Sequence, residues 1–262
     1  MVGLFFVLPL VGMALVSTGL VGRGEPGLGA YAGLLQGSQA SAVANSVLVS
    51  LVGSSIAAVV GALTAFCLAR IASARLSSLA GVFSSVLATD GGPPLAFAFV
   101  VTLGNTGFLT EALGLGALGF TLYSWQGLVV MYQYFLVPTM VLVTLPTFVG
   151  LRREWAEAST SLGGTPLTYW RRVGLPVALP ALLGGWVLLF GAAYATYASA
   201  AVLIGSGALP LVPLSIASQL RSGISSGGEA SAMALGVLMV VVAVVVLVLF
   251  NRLQARSARW LR

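Results

Sequence analysis

The apolar residues of this chain come in long uncharged runs, separated by short stretches that hold the arginines and acids. A helix needs about 20 apolar residues to cross the hydrocarbon core of a bilayer. Six runs reach that length: 1–21, 43–68, 79–101, 126–149, 177–204 and 230–250. The pattern predicts an all-α polytopic membrane protein with six transmembrane helices in a single domain over 1–262. The valine- and leucine-rich stretch 240–249 makes the last run the most uniform. The third run is the least regular, because Gly91, Gly92, Pro93 and Pro94 fall in its middle and break a helix there. The first run has no arginine ahead of it and no small-x-small cleavage site, so it reads as a retained span rather than a signal peptide.

Arginine placement orients the spans. Arg70 and Arg75 lie between spans two and three; Arg152, Arg153, Arg171 and Arg172 lie between four and five; Arg252, Arg256, Arg259 and Arg262 follow span six. Arg23 and Arg221 fall on the other side. By the positive-inside rule both termini are cytoplasmic (N-in/C-in). Within the spans, Ser46, Ser50, Ser54, Ala58 and Ala62 recur every fourth residue, as do Gly191, Ala195 and Ser199. Small residues on one stripe let helix backbones approach, within the chain or against a partner membrane subunit.

Composition agrees and excludes several chemistries. The chain is 58% hydrophobic and 7% charged, with a mean hydropathy of +1.05. A soluble domain has about 25% charged residues. There is no His and no Lys, which removes a P-loop phosphate site, a Ser–His hydrolase and an H-E-x-x-H metalloprotease. The lone Cys67 cannot form a disulfide or a thiolate metal site within one chain. The arginines behind the basic pI are accounted for by orientation and anionic lipid, so no nucleic-acid partner is expected.

Only the cytoplasmic loop 150–176 is rich in information. Glu154 and Glu157 precede or open a helical stretch, where a carboxylate favours the positive end of the helix dipole. Gly163 and Gly164 supply a stop, and Pro166 reopens the chain at a helix-starting position. A short surface helix, a glycine turn and a second helix entering span five follow. The order Glu157-Ala158-Ser159, three residues, Gly163, nine residues, Val173, one residue, Leu175-Pro176 resembles the EAA signature of ABC importer permease subunits, E-A-A-x3-G-x9-I-x-L-P. Ser159 stands for the second Ala and Val173 for Ile. Asn45-Ser46, the stretches 92–97 and 134–138, and 193–198 also look like permeases of that superfamily, nearest the subgroup serving polyamines, ferric iron, thiamine and aminophosphonates.

The resemblance implies a type I importer permease bundle (MetI-like) in a bacterial inner membrane. It implies that Glu154, Glu157, Ala158, Ser159 and Gly163 form a docking helix and turn for a separate ATPase, with Glu157 at the start of that helix. Leu175 and Pro176 would fix the entry into span five. No catalytic residue, metal or cofactor is expected in this chain, since ATP and Mg would be bound by the ATPase. The implied partners are two ABC ATPase subunits, a second permease subunit of a different chain, an extracytoplasmic substrate-binding protein and membrane lipid.

Asp90 is the ionisable residue deepest in an expected span, where a carboxylate costs about 2.5–3.5 kcal/mol on insertion scales. It reads either as a contact for a cationic, polyamine-like substrate or as a satisfied acid holding the broken helix. Tyr132 and Gln133 in span four, and Tyr194 and Tyr197 one turn apart in span five, are candidates to line the path with it. A stand-alone ion-coupled transporter or channel using Asp90 is the alternative.

Overall fold

The computed structural model describes residues 2–20, 29–34, 37–71, 74–89, 91–205, 209–222 and 228–258. Every regular element among them is helical: α1 (Val2–Ser17), α2 (Gly29–Leu34), α3 (Gly37–Arg70), α4 (Ala74–Thr89), α5 (Pro93–Leu103), α6 (Phe108–Ala112), α7 (Trp125–Val149), α8 (Arg153–Ser161), α9 (Pro166–Tyr169), α10 (Leu175–Ala195), α11 (Ala198–Ile204), α12 (Val212–Ser222) and α13 (Gly228–Ala258). A 3₁₀ turn covers Leu115–Leu118, and a π turn, Trp170–Gly174, joins α9 to α10. An apolar solvent leaves backbone N–H and C=O groups no partner but one another, so spanning segments coil into helices.

Among the described residues, five helical stretches are long and apolar enough to cross a membrane: Gly37–Arg70, Pro93–Ala112, Trp125–Val149, Pro166–Ala195 and Glu229–Leu249. Val7–Ser17 and Ser78–Thr89 are shorter apolar helices. The difference from six expected spans lies in the first and third runs. The third is two helices, α4 and α5, with Gly92 in an extended conformation between them. Pro93 and Pro94 have no N–H to donate back to the preceding turn, so α4 cannot continue and α5 starts afresh on them.

The helices contribute to two compact units. The first comprises Met1–Val49, Gly92–Leu128 and Tyr194–Val245. Its core gathers Leu34, Ala42, Val212, Ala234 and Leu235, with Tyr31, Val43 and Ile216 packed around them. Two side chains on α3 tie down the start of α12: Ser46 Oγ accepts from the Val212 N–H at 2.8 Å, and Asn45 Nδ2 donates to the Pro210 carbonyl at 3.2 Å. Met13 of α1 fills the space where a β-carbon on Gly236 would lie. The half-helices α5 and α11 also pack together here.

The second unit comprises Ser50–Gly91, Val129–Ala193 and Val246–Arg262. Ser50 and Ser54, and Ser46 in the first unit, are buried, so the serine stripe does face protein. Gly191 and Ala195 of the other stripe are exposed in the single chain. Met140 on α7 is wholly buried between two glycines. A β-carbon on Gly61 of α3 would stand 2.5 Å from Met140 Cβ and 2.9 Å from the Val137 carbonyl oxygen, and one on Gly185 of α10 would stand 2.6 Å from Met140 Sδ. The obstacle at Gly61 is fixed backbone and a β-carbon; at Gly185 it is the movable end of a thioether.

The two sites should therefore differ. Gly61→Ala is expected to destabilise the chain by about 1–3 kcal/mol through overpacking. Gly185→Ala should be close to neutral, since Met140 can turn aside and Ala is favoured over Gly in a helix by about 1 kcal/mol. Thermal unfolding of both variants in detergent micelles checks this, and equal midpoints would contradict it.

Candidate functional site

The loop between α7 and α10 folds as a helix–turn–helix corner. Helix α8 begins at Arg153, with Glu154 exposed in its first turn beside the positive end of the dipole. Glu157 is not at the helix start but one turn further in, because the helix already begins at Arg153. There its Oε1 accepts from Arg153 Nε at 3.1 Å, an i,i+4 pair whose side chains are 92% and 64% exposed. Such a solvated pair contributes little to stability.

The end of α8 is closed by backbone alone. The Gly163 N–H donates to the Thr160 carbonyl at 2.9 Å and the Gly164 N–H to the Ser159 carbonyl at 2.8 Å, the pairing of a Schellman motif. Gly163 has φ +79°, the left-handed region an L side chain rarely enters. Gly164 is constrained differently: a β-carbon would stand 2.7 Å from both Ser159 O and Ser159 Oγ. The chain then restarts on Pro166, with Thr165 Oγ1 accepting from the Thr168 N–H at 3.3 Å.

The corner leaves apolar side chains in the open. No residue of α8 is buried, and Trp155, Leu162 and Leu167 are 40%, 89% and 76% exposed. Trp155, Ala158, Ser159, Leu162 and Gly163 line one side of a groove of about 710 Å³, with Arg172 and Val173 among the residues opposite. The other face of α8, with Arg153, Ala156, Glu157 and Thr160, borders a second cavity of about 850 Å³. The signature residues thus divide between two faces: Ala158, Ser159 and Gly163 on the groove, Glu157 on the second cavity.

Leu175 and Pro176 do not mark the start of the helix entering span five. The helical backbone runs from Pro166 through the π turn, with the Leu175 N–H donating five residues back to the Trp170 carbonyl. Pro176 cannot donate to the Arg172 carbonyl and its ring crowds it, so the ladder widens there. The Trp170 ring lies over Gly174, where a β-carbon would stand 2.6 Å from Cε3. That ring meets Phe66 of α3 edge-on at 5.2 Å, Phe66 meets Phe148 of α7 at 5.8 Å, and the Arg70 guanidinium sits 4.9 Å above Phe66. This aromatic corner was not foreseen from the sequence; Phe66, Phe148 and Trp170 are too far apart in the chain for any local pattern to join them.

The candidate pathway residues fall in different units. Tyr132 is buried in the second unit with its ring 5.5 Å from that of Phe135, against which Gly91 also packs. Gln133 Nε2 donates to the Gly53 carbonyl at 3.2 Å and the Val129 carbonyl at 3.0 Å, while its buried Oε1 accepts no hydrogen bond among the described residues. Tyr194 and Tyr197 belong to the first unit and are not one turn apart on one helix. Helix α10 ends at Ala195, Tyr197 caps α11, and only Tyr194 is buried. Tyr197 Oη accepts from Arg221 Nη2 at 3.2 Å. Asp90 lies outside the described residues.

Over almost the whole chain this arrangement has a counterpart among solved structures. Two crystal structures of a bacterial ABC transporter for the acidic polysaccharide alginate, one with an alginate pentasaccharide-bound periplasmic protein, align with TM-scores of 0.73 and 0.66 at 16% identity. Each match covers 96% of this chain, and 90% and 89% of the respective counterpart. The fold is that of an ABC importer's membrane-spanning permease. The sequence relatives say the same. The chain is 26% identical to the spermidine/putrescine permease protein PotC of Haemophilus influenzae over 206 residues, 79% of this chain and 74% of that protein. It is 31% identical to the sulfate permease protein CysT of Salmonella typhimurium over 139 residues, 52% of this chain and about half of that relative's length. No protein-family model matches the chain. Its homologues are therefore ABC importer permease proteins, and like them this chain carries several helices long and apolar enough to cross a membrane.

The Schellman turn can be tested directly. Gly164→Ala should open it without unfolding the bundle, so trypsin should cut at Arg171 and Arg172 faster, by about fivefold for each 1 kcal/mol lost from the turn. Limited proteolysis alongside circular dichroism reads both quantities, and an unchanged cutting rate would show that the turn tolerates the β-carbon.

Proposed function

We propose that this chain is one transmembrane half of an ATP-driven, binding-protein-dependent importer in a bacterial inner membrane, with both termini cytoplasmic. The observation that carries the reading is α8: a surface helix with no buried residue, closed by a rigid glycine turn and offering Trp155 and Leu162 to the outside. A water-facing helix with large apolar side chains calls for a partner surface. On this reading the partner is an ATPase, present twice in the complex, which binds ATP and Mg. Ala158 and Ser159 keep the contact face flat, Gly163 sets the turn, and Glu154 remains free of a partner within α8 to meet a cation. Movement of α8 would pass through Trp170 to Phe66 and Phe148, and so to α3 and α7. A second permease chain would complete the pathway, and an extracytoplasmic binding protein would deliver the solute.

The substrate on this proposal is a small cationic solute of polyamine type. The likeness to PotC and the acidity of Asp90 support it, while the likeness to CysT supports a small anion. Arg221 beside Tyr197 at a helix break is the feature that would suit that second reading. Gln133 Oε1 is a buried acceptor available to an ammonium group.

Mild-detergent purification from native membranes should recover an ATPase carrying a Walker A sequence with the wild-type chain. Gly163→Glu should lose that ATPase and abolish uptake while leaving the helical content unchanged. Recovery of the chain alone, with transport following an ion gradient, would replace the proposal by the ion-coupled alternative. For the substrate, Asp90→Asn in the complete importer should lower spermidine uptake about tenfold or more, on the scale of losing one buried charged contact, with little effect on a neutral solute. Sulfate uptake in place of spermidine would reassign the path to anions.

A further inference from the structure

Below the second face of α8, two cavities in the second unit share one wall. The larger, about 850 Å³, is bordered by Arg70, Arg152 and Arg153. The smaller, about 300 Å³, is bordered by Leu63, Leu175 and Leu182 and is apolar on nearly all sides. Phe66, Phe148 and Trp170 belong to both. A polar basin and an apolar slot thus meet across three aromatic rings at the ends of α3 and α7, two of the helices long and apolar enough to cross a membrane. Among the described residues Glu157 is the one carboxylate bordering the basin, and it is paired with Arg153, so the basin keeps a net positive charge. Leu63 and Leu175 are 59% and 49% exposed at the mouth of the slot.

We propose that these joined cavities bind an anionic phospholipid, its phosphate among Arg70, Arg152 and Arg153 and one acyl chain in the slot beside Leu63 and Leu175. Charge complementarity selects the headgroup: guanidinium groups donate in a fork that matches phosphate oxygens. Basic recesses between membrane helices on the cytoplasmic side suit anionic headgroups. Neither a free phosphate nor a neutral lipid uses both halves, since the first leaves the slot without an occupant and the second leaves the arginines without a counter-charge. The site needs only that the ends of α3 and α7 lie at a membrane surface, and it stands whether or not α8 docks on an ATPase.

Trp170 borders both cavities and is a built-in reporter. The full-length chain would be reconstituted in phosphatidylcholine bilayers with Trp125, Trp155, Trp186 and Trp260 changed to Phe. A small equal fraction of either brominated phosphatidylglycerol or brominated phosphatidylcholine would then be added. The proposal expects the anionic lipid to be enriched at Trp170 by about fivefold, the Boltzmann factor for one arginine's attraction to an anionic lipid surface. Arg70→Gln with Arg152→Gln should remove that preference. A chain that keeps only Trp186, whose Nε1 donates to Ser55 Oγ at 3.1 Å, should be quenched equally by both lipids. Should the single-tryptophan chains not fold, the wild type in non-ionic micelles should gain thermal stability from phosphatidylglycerol and not from phosphatidylcholine, and the two-arginine variant should lose that gain. Equal quenching by the two lipids, a preference that survives loss of the arginines, or stabilisation by inorganic phosphate equal to that by the lipid would overturn the proposal.

Discussion

Met140 lies where β-carbons on Gly61 and Gly185 would be, so α3, α7 and α10 meet around a single thioether. In a bilayer no water is expelled when helices associate, and what holds them is van der Waals contact at close range. Such contact falls off within an ångström, so the approach of α3 to α7 depends on Gly61 carrying no β-carbon, while on the α10 side the thioether has room to adjust. Everything nearer the loop builds on this approach. The ends of α3 and α7 are close enough for Phe66, Phe148 and Trp170 to touch edge to edge, and that corner borders the cavity behind α8.

The loop shows how one short helix serves two surfaces. With 3.6 residues per turn, Trp155, Ala158, Ser159 and Leu162 share one stripe while Arg153, Ala156, Glu157 and Thr160 share another. The first stripe faces a groove open to the outside and the second faces the cavity near Phe66 and Phe148. The acid of the EAA-like signature falls on the inward stripe, beside Arg153, so the short signature contains residues with two different neighbours.

Much of this was legible in the sequence wherever a local rule applied. Uncharged runs marked the helices, Pro93 and Pro94 marked the division between α4 and α5, and Gly163 marked the end of α8. Other features have no local signature. The break between α10 and α11 falls in Ala195-Thr196-Tyr197-Ala198, with neither glycine nor proline, so a continuous helix was the natural expectation there. Glu157 was expected at a helix start because the apolar pattern of so short a helix does not reveal that it begins at Arg153. The aromatic corner joins Phe66 to Phe148 and Trp170, far along the chain from it, and only the packing of α3 on α7 brings them together. Gly164 was legible as part of the stop with Gly163 but not as a close approach to Ser159, since a glycine needed for close approach looks the same in sequence as one needed for its dihedral angles.

The π turn at Trp170–Gly174 has a geometric consequence of its own. A widened turn holds one residue more than the α ladder on either side, and each residue of an α-helix advances the azimuth by about 100°. Everything ahead of the turn is therefore out of phase with α10 by roughly that angle. Tyr169, Trp170 and the corner leading back to α8 take their compass bearing from this single extra residue. Removing it would leave the length of α10 almost unchanged and swing the Trp170 ring away from Phe66.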